Sequence, residues 1–247
     1  DKVFVGADDG SFSAYDLDSG ALLWTINIGD PIVGAPIFAD GRIIVGSIIE
    51  SLHALDPQTG KILWSYRRPI HTTTSIKGGG NASYIGGKIW AGFSDGSLLA
   101  LEIHDGSVKI EKQFRDNLKY TDIDAKPISW HDGILVSTYD GRLRFLKKDG
   151  SEVWQFPAGG SRAPLLVEDV IYLPSTDGTV YAISGSTAKE VWRYPLRHGI
   201  PTGLAFLPRN QKNPVLAMTS SDQKVFVLDA KTGKELSHNS LGQGSGS

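Results

Sequence analysis

Along this chain apolar residues occur in short runs, and glycine, aspartate and asparagine break the runs at regular intervals. Residues 35–66 show the pattern most clearly. A short apolar run at 35–39 meets the turn Asp40-Gly41, and residues 42–47 are rich in isoleucine and valine. Residues 52–56 read as the next strand, Pro57-Gln58-Thr59-Gly60 as a tight turn, and residues 61–66 as the last strand. Runs of β-branched and aromatic residues between such turn formers predict four antiparallel strands. The glycines supply the positive φ that tight turns require. No segment carries a convincing amphipathic period of the helical kind.

The unit repeats. Its clearest mark is ALDPQTGKILW at residues 54–64, with a small residue first, a glycine seventh and a tryptophan last. Ala14, Gly20 and Trp24 repeat it, and Ala182 and Trp192 do so with Ala188 in the glycine place. Gly150 and Trp154 repeat the second half. Two copies are worn, with Ile110 and Ser237 standing where tryptophan belongs. The seventh positions are 20, 60, 106, 150, 188 and 233, between 38 and 46 residues apart. Six copies of one all-β unit decide the fold class before any other argument.

A lone four-stranded sheet cannot bury both faces, and stacking such sheets around an axis does. The prediction is an all-β protein, a β-propeller of six four-stranded blades. The blades fall at about 1–29, 30–67, 82–114, 125–156, 163–194 and 202–241, in one domain over 1–241. The first blade supplies three strands, at 3–6, 11–16 and 22–28, and lacks one. Ring closure then needs a filler, either a segment outside these residues or the last residues folding back. Trp24, Trp64, Trp154 and Trp192 are expected to dock between blades. Each indole would lie over the glycine peptide of a neighbouring unit, where a Cβ would hold the ring away. No ligand is assigned to them.

Composition narrows the function classes. The 247 residues suffice for one large β domain, and a net charge of −2 with interspersed signs argues against a nucleic-acid or anionic-membrane footprint. The chain has no cysteine, hence no disulfide, thiolate nucleophile or cysteine metal site. No apolar run approaches the length that crosses a bilayer. The chain begins at Asp1 inside a strand, which reads as a processed or trimmed product. Residues 242–247, GQGSGS, read as a flexible tail.

Two connections stand out by length, residues 67–80 and 115–124; others, such as 29–34 and 157–162, are short. Long loops on a rigid scaffold commonly carry binding. These two leave adjacent blades at equivalent places, so they are expected side by side on one face.

The docking motif resembles the PQQ-type propeller repeat, found in quinoprotein dehydrogenases and in non-enzymatic proteins. The long loops resemble more narrowly the BamB family, propeller lipoproteins of the outer-membrane β-barrel assembly machinery. That family carries a segment like Leu-Ser-Leu-Arg-Gly before one blade, and Thr74-Ser75-Ile76-Lys77-Gly78 stands in the matching place. It carries Asp-Val-Asp-Thr-Thr-Pro in the next loop, matched by Asp122-Ile123-Asp124-Ala125-Lys126-Pro127. In the family these loops dock on a periplasmic POTRA domain of the barrel-forming subunit BamA. The resemblance therefore implies partner contacts at Thr74, Ile76, Lys77, Gly78, Asp122 and Asp124, with Ile76 an apolar anchor, Lys77 in place of arginine and the aspartates as acidic contacts. It implies a location in the periplasm, at the inner face of the outer membrane of a Gram-negative bacterium, with a lipid anchor outside this chain. The departures are six blades against a usual eight, Thr74 for an apolar residue, and a lysine that lacks the planar fork of arginine. The same aspartates also suit turn capping and backbone hydrogen bonding.

A search for catalysis finds little. A quinoprotein dehydrogenase needs a ring-stacking tryptophan, a Ca²⁺ held by carboxylate and amide oxygens, and an aspartate base. Trp90 and Trp130 lie outside the docking motif but within strands, where core or channel packing is expected. His53, His71, His104, His131, His198 and His238 show no zinc spacing and no pairing with a motif serine, and read as surface or loop residues. Gly78-Gly79-Gly80 lacks the residues of a phosphate loop. Asp-Gly turns at 9–10, 95–96, 140–141 and 177–178 recur once per unit, as turn geometry does. The expectation is a non-enzymatic interaction scaffold with no cofactor, metal or catalytic residue. The alternatives are a propeller that binds another envelope protein or a glycan, and, further off, a PQQ-dependent dehydrogenase.

Overall fold

The computed structural model describes residues 1–32, 34–68, 81–114, 122–139, 141–208 and 214–242. Among these residues there are 23 strands and no helix. The first sheet, β1 (Lys2–Gly6), β2 (Ser11–Asp16) and β3 (Leu22–Asn27), has three strands. The second is β4 (Ile37–Ala39), β5 (Arg42–Gly46), β6 (Ser51–Leu55) and β7 (Ile62–Arg67). The third is β8 (Ala82–Ile85), β9 (Lys88–Gly92), β10 (Ser97–Glu102) and β11 (Val108–Gln113). The fourth is β12 (Ile128–Trp130), β13 (Gly133–Thr138), β14 (Arg142–Lys147) and β15 (Glu152–Phe156). The fifth is β16 (Leu165–Val167), β17 (Val170–Pro174), β18 (Thr179–Ser184) and β19 (Lys189–Pro195). The sixth is β20 (Pro201–Leu207), β21 (Val215–Ser220), β22 (Lys224–Asp229) and β23 (Glu235–Ser240). Each sheet keeps chain order, so each is a β-meander, and together they are the six blades of a β-propeller, the first short of one strand.

The chain divides into two compact units, Asp1–Val136 with Leu146–Ser151, and Ser137–Phe145 with Glu152–Ser247. The first holds three whole sheets and the second two. In the first unit, Phe12 and Ile32 pack with Ile43, Val45 and Leu55; Leu52 and Trp64 pack with Phe93 and Leu99; and Trp90 and Leu98 pack with Ile123 and Ile134. In the second, Tyr172, Trp192, Leu216, Met218 and Leu228 share one core.

The register explains the small residue of the motif. Ala14 lies opposite Trp24, Ala54 opposite Trp64 and Ala182 opposite Trp192. A larger side chain there would strike the indole. Directly after each of these alanines the register slips by a bulge, which adds twist to the strand pair that carries the knob.

Each of these knobs fits a socket on a neighbouring sheet. A Cβ built on Gly60 would lie 2.6 Å from Cε3 of Trp24, one on Gly106 2.6 Å from Cε3 of Trp64, and one on Gly233 2.5 Å from Cε3 of Trp192. The indole N–H then donates to a carbonyl three residues before the glycine: Pro57 at 3.3 Å, Ile103 at 2.8 Å and Ala230 at 3.0 Å. The turn beneath is held by an aspartate. Asp56 Oδ1 accepts from the backbone N–H of Gln58 and Thr59 and from the Thr59 hydroxyl, all within 2.9 Å. The worn copy shows what the indole adds. A Cβ built on Gly150 would lie 3.0 Å from Ile110 Cγ2 and 3.1 Å from Lys112 Cε, and the isoleucine side chain has no N–H to donate to the turn. Trp154 packs on Phe145 of its own sheet, ring centroids 5.7 Å apart.

Gly106 combines a φ of +71° with a socket that is full, whereas Gly20, at +70°, has open space around it. Alanine at Gly106 should therefore lower stability by at least ~3 kcal/mol and at Gly20 by about 1 kcal/mol. Urea unfolding of the two variants measures the difference, and equal losses would mean that the indole does not bear on the glycine.

Candidate partner-binding site

Two segments frame the candidate site, one after β7 and one after β11. Thr74, Ile76, Lys77 and Gly78 lie outside the described residues, so the structure speaks only through the flanks. At the departing end of the first segment Arg68 is anchored firmly. Its Nε donates to Asp95 Oδ2 at 2.7 Å, and its Nη2 donates to Ser97 Oγ at 2.6 Å and Glu111 Oε1 at 3.0 Å. The guanidinium also lies 5.6 Å from the Phe93 ring centroid. At the returning end, Asn81 Nδ2 donates to the Asp124 carbonyl at 2.9 Å. The first segment is thus tied at one end to β11, from which the second departs, and at the other to the residue where the second returns.

Ile123 decides the conformation of that return. It packs against Gly92, where an added Cβ would stand 2.5 Å from Ile123 Cβ, and its N–H donates to the Phe93 carbonyl at 3.1 Å. Ile32 does the same in the first sheet, against Gly6 and the Ala7 carbonyl. Ile123 is a plug, and the plug draws its neighbours inward. Asp122 is 2% exposed and Asp124 6%, beside Glu50 at 5%. Both aspartates, expected from the resemblance to be acidic contacts, sit behind the surface because Ile123 fills the space over Gly92. Ile123 is the residue that reading missed. Its counterpart Ile32 follows a turn in the same way, but the unequal connections hide the match in sequence.

The neighbouring buried carboxyls raise the cost of charging Asp124. Glu50 adopts φ +62°, at the turn place that glycine holds in other sheets, and its Oε1 accepts from the Ser94 N–H at 2.6 Å. Burial, then the charges of Asp122 and Glu50, push the Asp124 carboxyl up to about 7.

Elsewhere no reactive centre opens to solvent among the described residues. His53 is not a surface histidine. It lies in β6, 8% exposed, with Ser51 Oγ 2.9 Å from Nε2 and Ser65 Oγ 2.8 Å from Nδ1. Burial, chiefly, holds its pKa below the usual imidazole range. The Ser51–His53 pair resembles a nucleophile and base, but Ser51 is buried and no substrate reaches it. Trp90 and Trp130 are buried in their sheets. Among the described residues no group of three or more histidines and carboxylates is placed to hold a metal ion. Among the described residues no helix is long and apolar enough to cross a membrane.

Meandering blades with indole-over-glycine docking define a propeller of the PQQ-repeat class. The family model described as outer membrane protein assembly factor BamB matches residues 1–147 and 131–247. The chain belongs to the BamB family, which is named for an assembly factor and not for an enzyme. It is 23% identical to the outer membrane protein assembly factor BamB of Shewanella oneidensis over 198 residues, which cover 77% of this chain and 50% of that protein. The crystal structure of BamB from Moraxella catarrhalis superposes with a TM-score of 0.81 at 19% identity, covering 97% of this chain and 73% of that one. The quinohemoprotein alcohol dehydrogenase of Comamonas testosteroni superposes with a TM-score of 0.74 at 17% identity, over 85% of this chain and 43% of its own. Both of these structural likenesses are ones of fold. The chain spans about half the length of the curated relatives it matches.

A carboxyl whose folded pKa is raised adds no penalty below the ordinary carboxylate range. The penalty grows as pH rises from there and is complete above about 7. Asp124→Asn should therefore stabilise the protein by on the order of 2 kcal/mol at pH 8 and by close to nothing at pH 4. Urea titrations at the two pH values test this; a gain of equal size at both would exclude the charge as its source.

Proposed function

We propose that this propeller is a non-enzymatic scaffold in outer membrane protein assembly, located in the periplasm at the inner face of the outer membrane. In this reading it binds a POTRA domain of the barrel-assembly subunit BamA through the segments 67–80 and 115–124. The observation that carries the reading is the match of the BamB family model over the whole chain. The hydrogen bond from Asn81 to the Asp124 carbonyl supports it locally, since it joins the returning ends of the two segments. The burial of Asp122 and Asp124 reshapes the contact proposed from sequence. They serve behind the interface, holding the return of the second loop, while Ile76 supplies the apolar anchor and Lys77 the charge that sets register and association rate.

The test separates the two layers. Ile76→Asp with Lys77→Glu should reduce capture of a BamA POTRA domain at least ~10-fold, as expected for an anchor residue, and leave the thermal midpoint within a few degrees. Asp124→Asn should leave capture intact at neutral pH. Undiminished capture by the double variant would remove these loops from the interface.

A further inference from the structure

The same place between neighbouring sheets is filled in one part of the chain and open in another. Arg68 marks the filled case. Its backbone N–H donates to the Glu50 carbonyl, and its guanidinium lies among Asp95, Ser97 and Glu111. The fifth and sixth sheets repeat that frame. Leu196 follows Trp192 by four residues, as Arg68 follows Trp64, and its N–H donates to the Gly178 carbonyl at 2.9 Å. Asp222 and Lys224 stand at the hairpin places of Asp95 and Ser97, and His238 pairs with Phe226 as Glu111 pairs with Leu99. Leucine thus replaces the arginine, and lysine and histidine replace a serine and a glutamate that hold it. A cavity of about 380 Å³ opens here, and its lining includes Lys224, Phe226 and His238 with Tyr194, Arg197 and Glu235.

The donors left over in this cavity are cationic. Asp222 accepts from Lys224 Nζ at 2.7 Å and from the Ser220 hydroxyl. Glu235 Oε1 lies 2.6 Å from His238 Nδ1, and its Oε2 accepts from the Tyr194 hydroxyl. The bonds from Lys224 to Asp222 and from Tyr194 to Glu235, chiefly, hold both carboxyls below the usual carboxylate range, so both stay charged. Arg197 is close enough to add to that effect on Glu235, but it makes no hydrogen bond or ion pair of its own among the described residues. Its N–H groups, and those of Lys224 not given to Asp222, are the unspent ones. A guanidinium suits a planar oxyanion, which it meets with two parallel hydrogen bonds. The apolar part of the wall is ring: Tyr194, Phe226 and His238 pack in a row, with centroids 6.0 and 5.7 Å apart.

We propose that this cavity binds a small organic carboxylate with a flat apolar body. Its oxygens take the N–H groups of Arg197 and Lys224, and its body lies against Tyr194 and Phe226. A single negative charge fits where a dianion does not, because Asp222 and Glu235 already stand ionised beside it. The inference rests on this cavity alone and stands apart from the assembly reading above.

Benzoate is the probe, titrated calorimetrically into the full chain at about pH 7. It should bind at one site with a Kd on the order of 1 mM, as expected for so small a ligand. Benzamidine, of like shape and opposite charge, should not saturate below about 20 mM, and inorganic phosphate should bind at least ~10-fold more weakly than benzoate. Arg197→Gln should weaken benzoate at least ~10-fold and move the melting point by less than ~2 °C, as for an exposed site. Lys224→Ser with His238→Glu, which copies Ser97 and Glu111, should abolish benzoate binding. Absence of saturable binding, unchanged affinity in Arg197→Gln, or benzamidine bound as well as benzoate would overturn the proposal. Tighter binding of phosphate than of benzoate would overturn it as well, since the cavity would then select a dianion.

Discussion

The structure depends on one contact, an indole laid flat against a peptide that has no side chain. Dispersion over so large a ring is collected only at contact distance, and only glycine allows that distance at Gly60, Gly106 and Gly233. The N–H donated to the carbonyl three residues earlier sets where on the peptide the ring lies. Two other features follow from the same contact. The residue opposite the ring must be small, hence Ala14, Ala54 and Ala182. The strand must twist to present it, hence the bulge after each alanine.

A scaffold held this way has rigid strand ends, and the connections inherit that rigidity at their roots. Arg68 is fixed by two carboxylates and a ring before its segment leaves β7, and Ile123 is fixed over Gly92 as the next segment returns. The same plug forces Asp122 and Asp124 to share a buried space with Glu50, and burial with these neighbours raises the Asp124 pKa. Rigid roots suit segments that recognise another polypeptide, since the ends of both are fixed before any partner arrives.

Much of this was legible in the sequence. The period of about forty residues, the turn formers and the eleven-residue motif gave the blade count, the strand positions and the missing strand of the first sheet. The docking tryptophans were legible because their partners, an alanine ten positions back and a glycine one unit away, repeat at nearly constant spacing. Asp122, Asp124 and His53 were not, because burial depends on what the next sheet presents. His53 alternates with Leu52 and Ala54 along β6, a place that faces solvent in a lone sheet, yet it is buried, with Ser51 and Ser65 of its own sheet on its ring nitrogens.

By itself the sequence determined what is local and periodic: strand, turn, bulge and knob, since each is specified by residues within one unit. The tertiary structure alone decided which copies of the motif are seated, that Gly20 is bare while Gly60 is covered, and that an acidic pair lies inside. These are facts about pairs of units, and a pairwise distance is not written in either member of the pair.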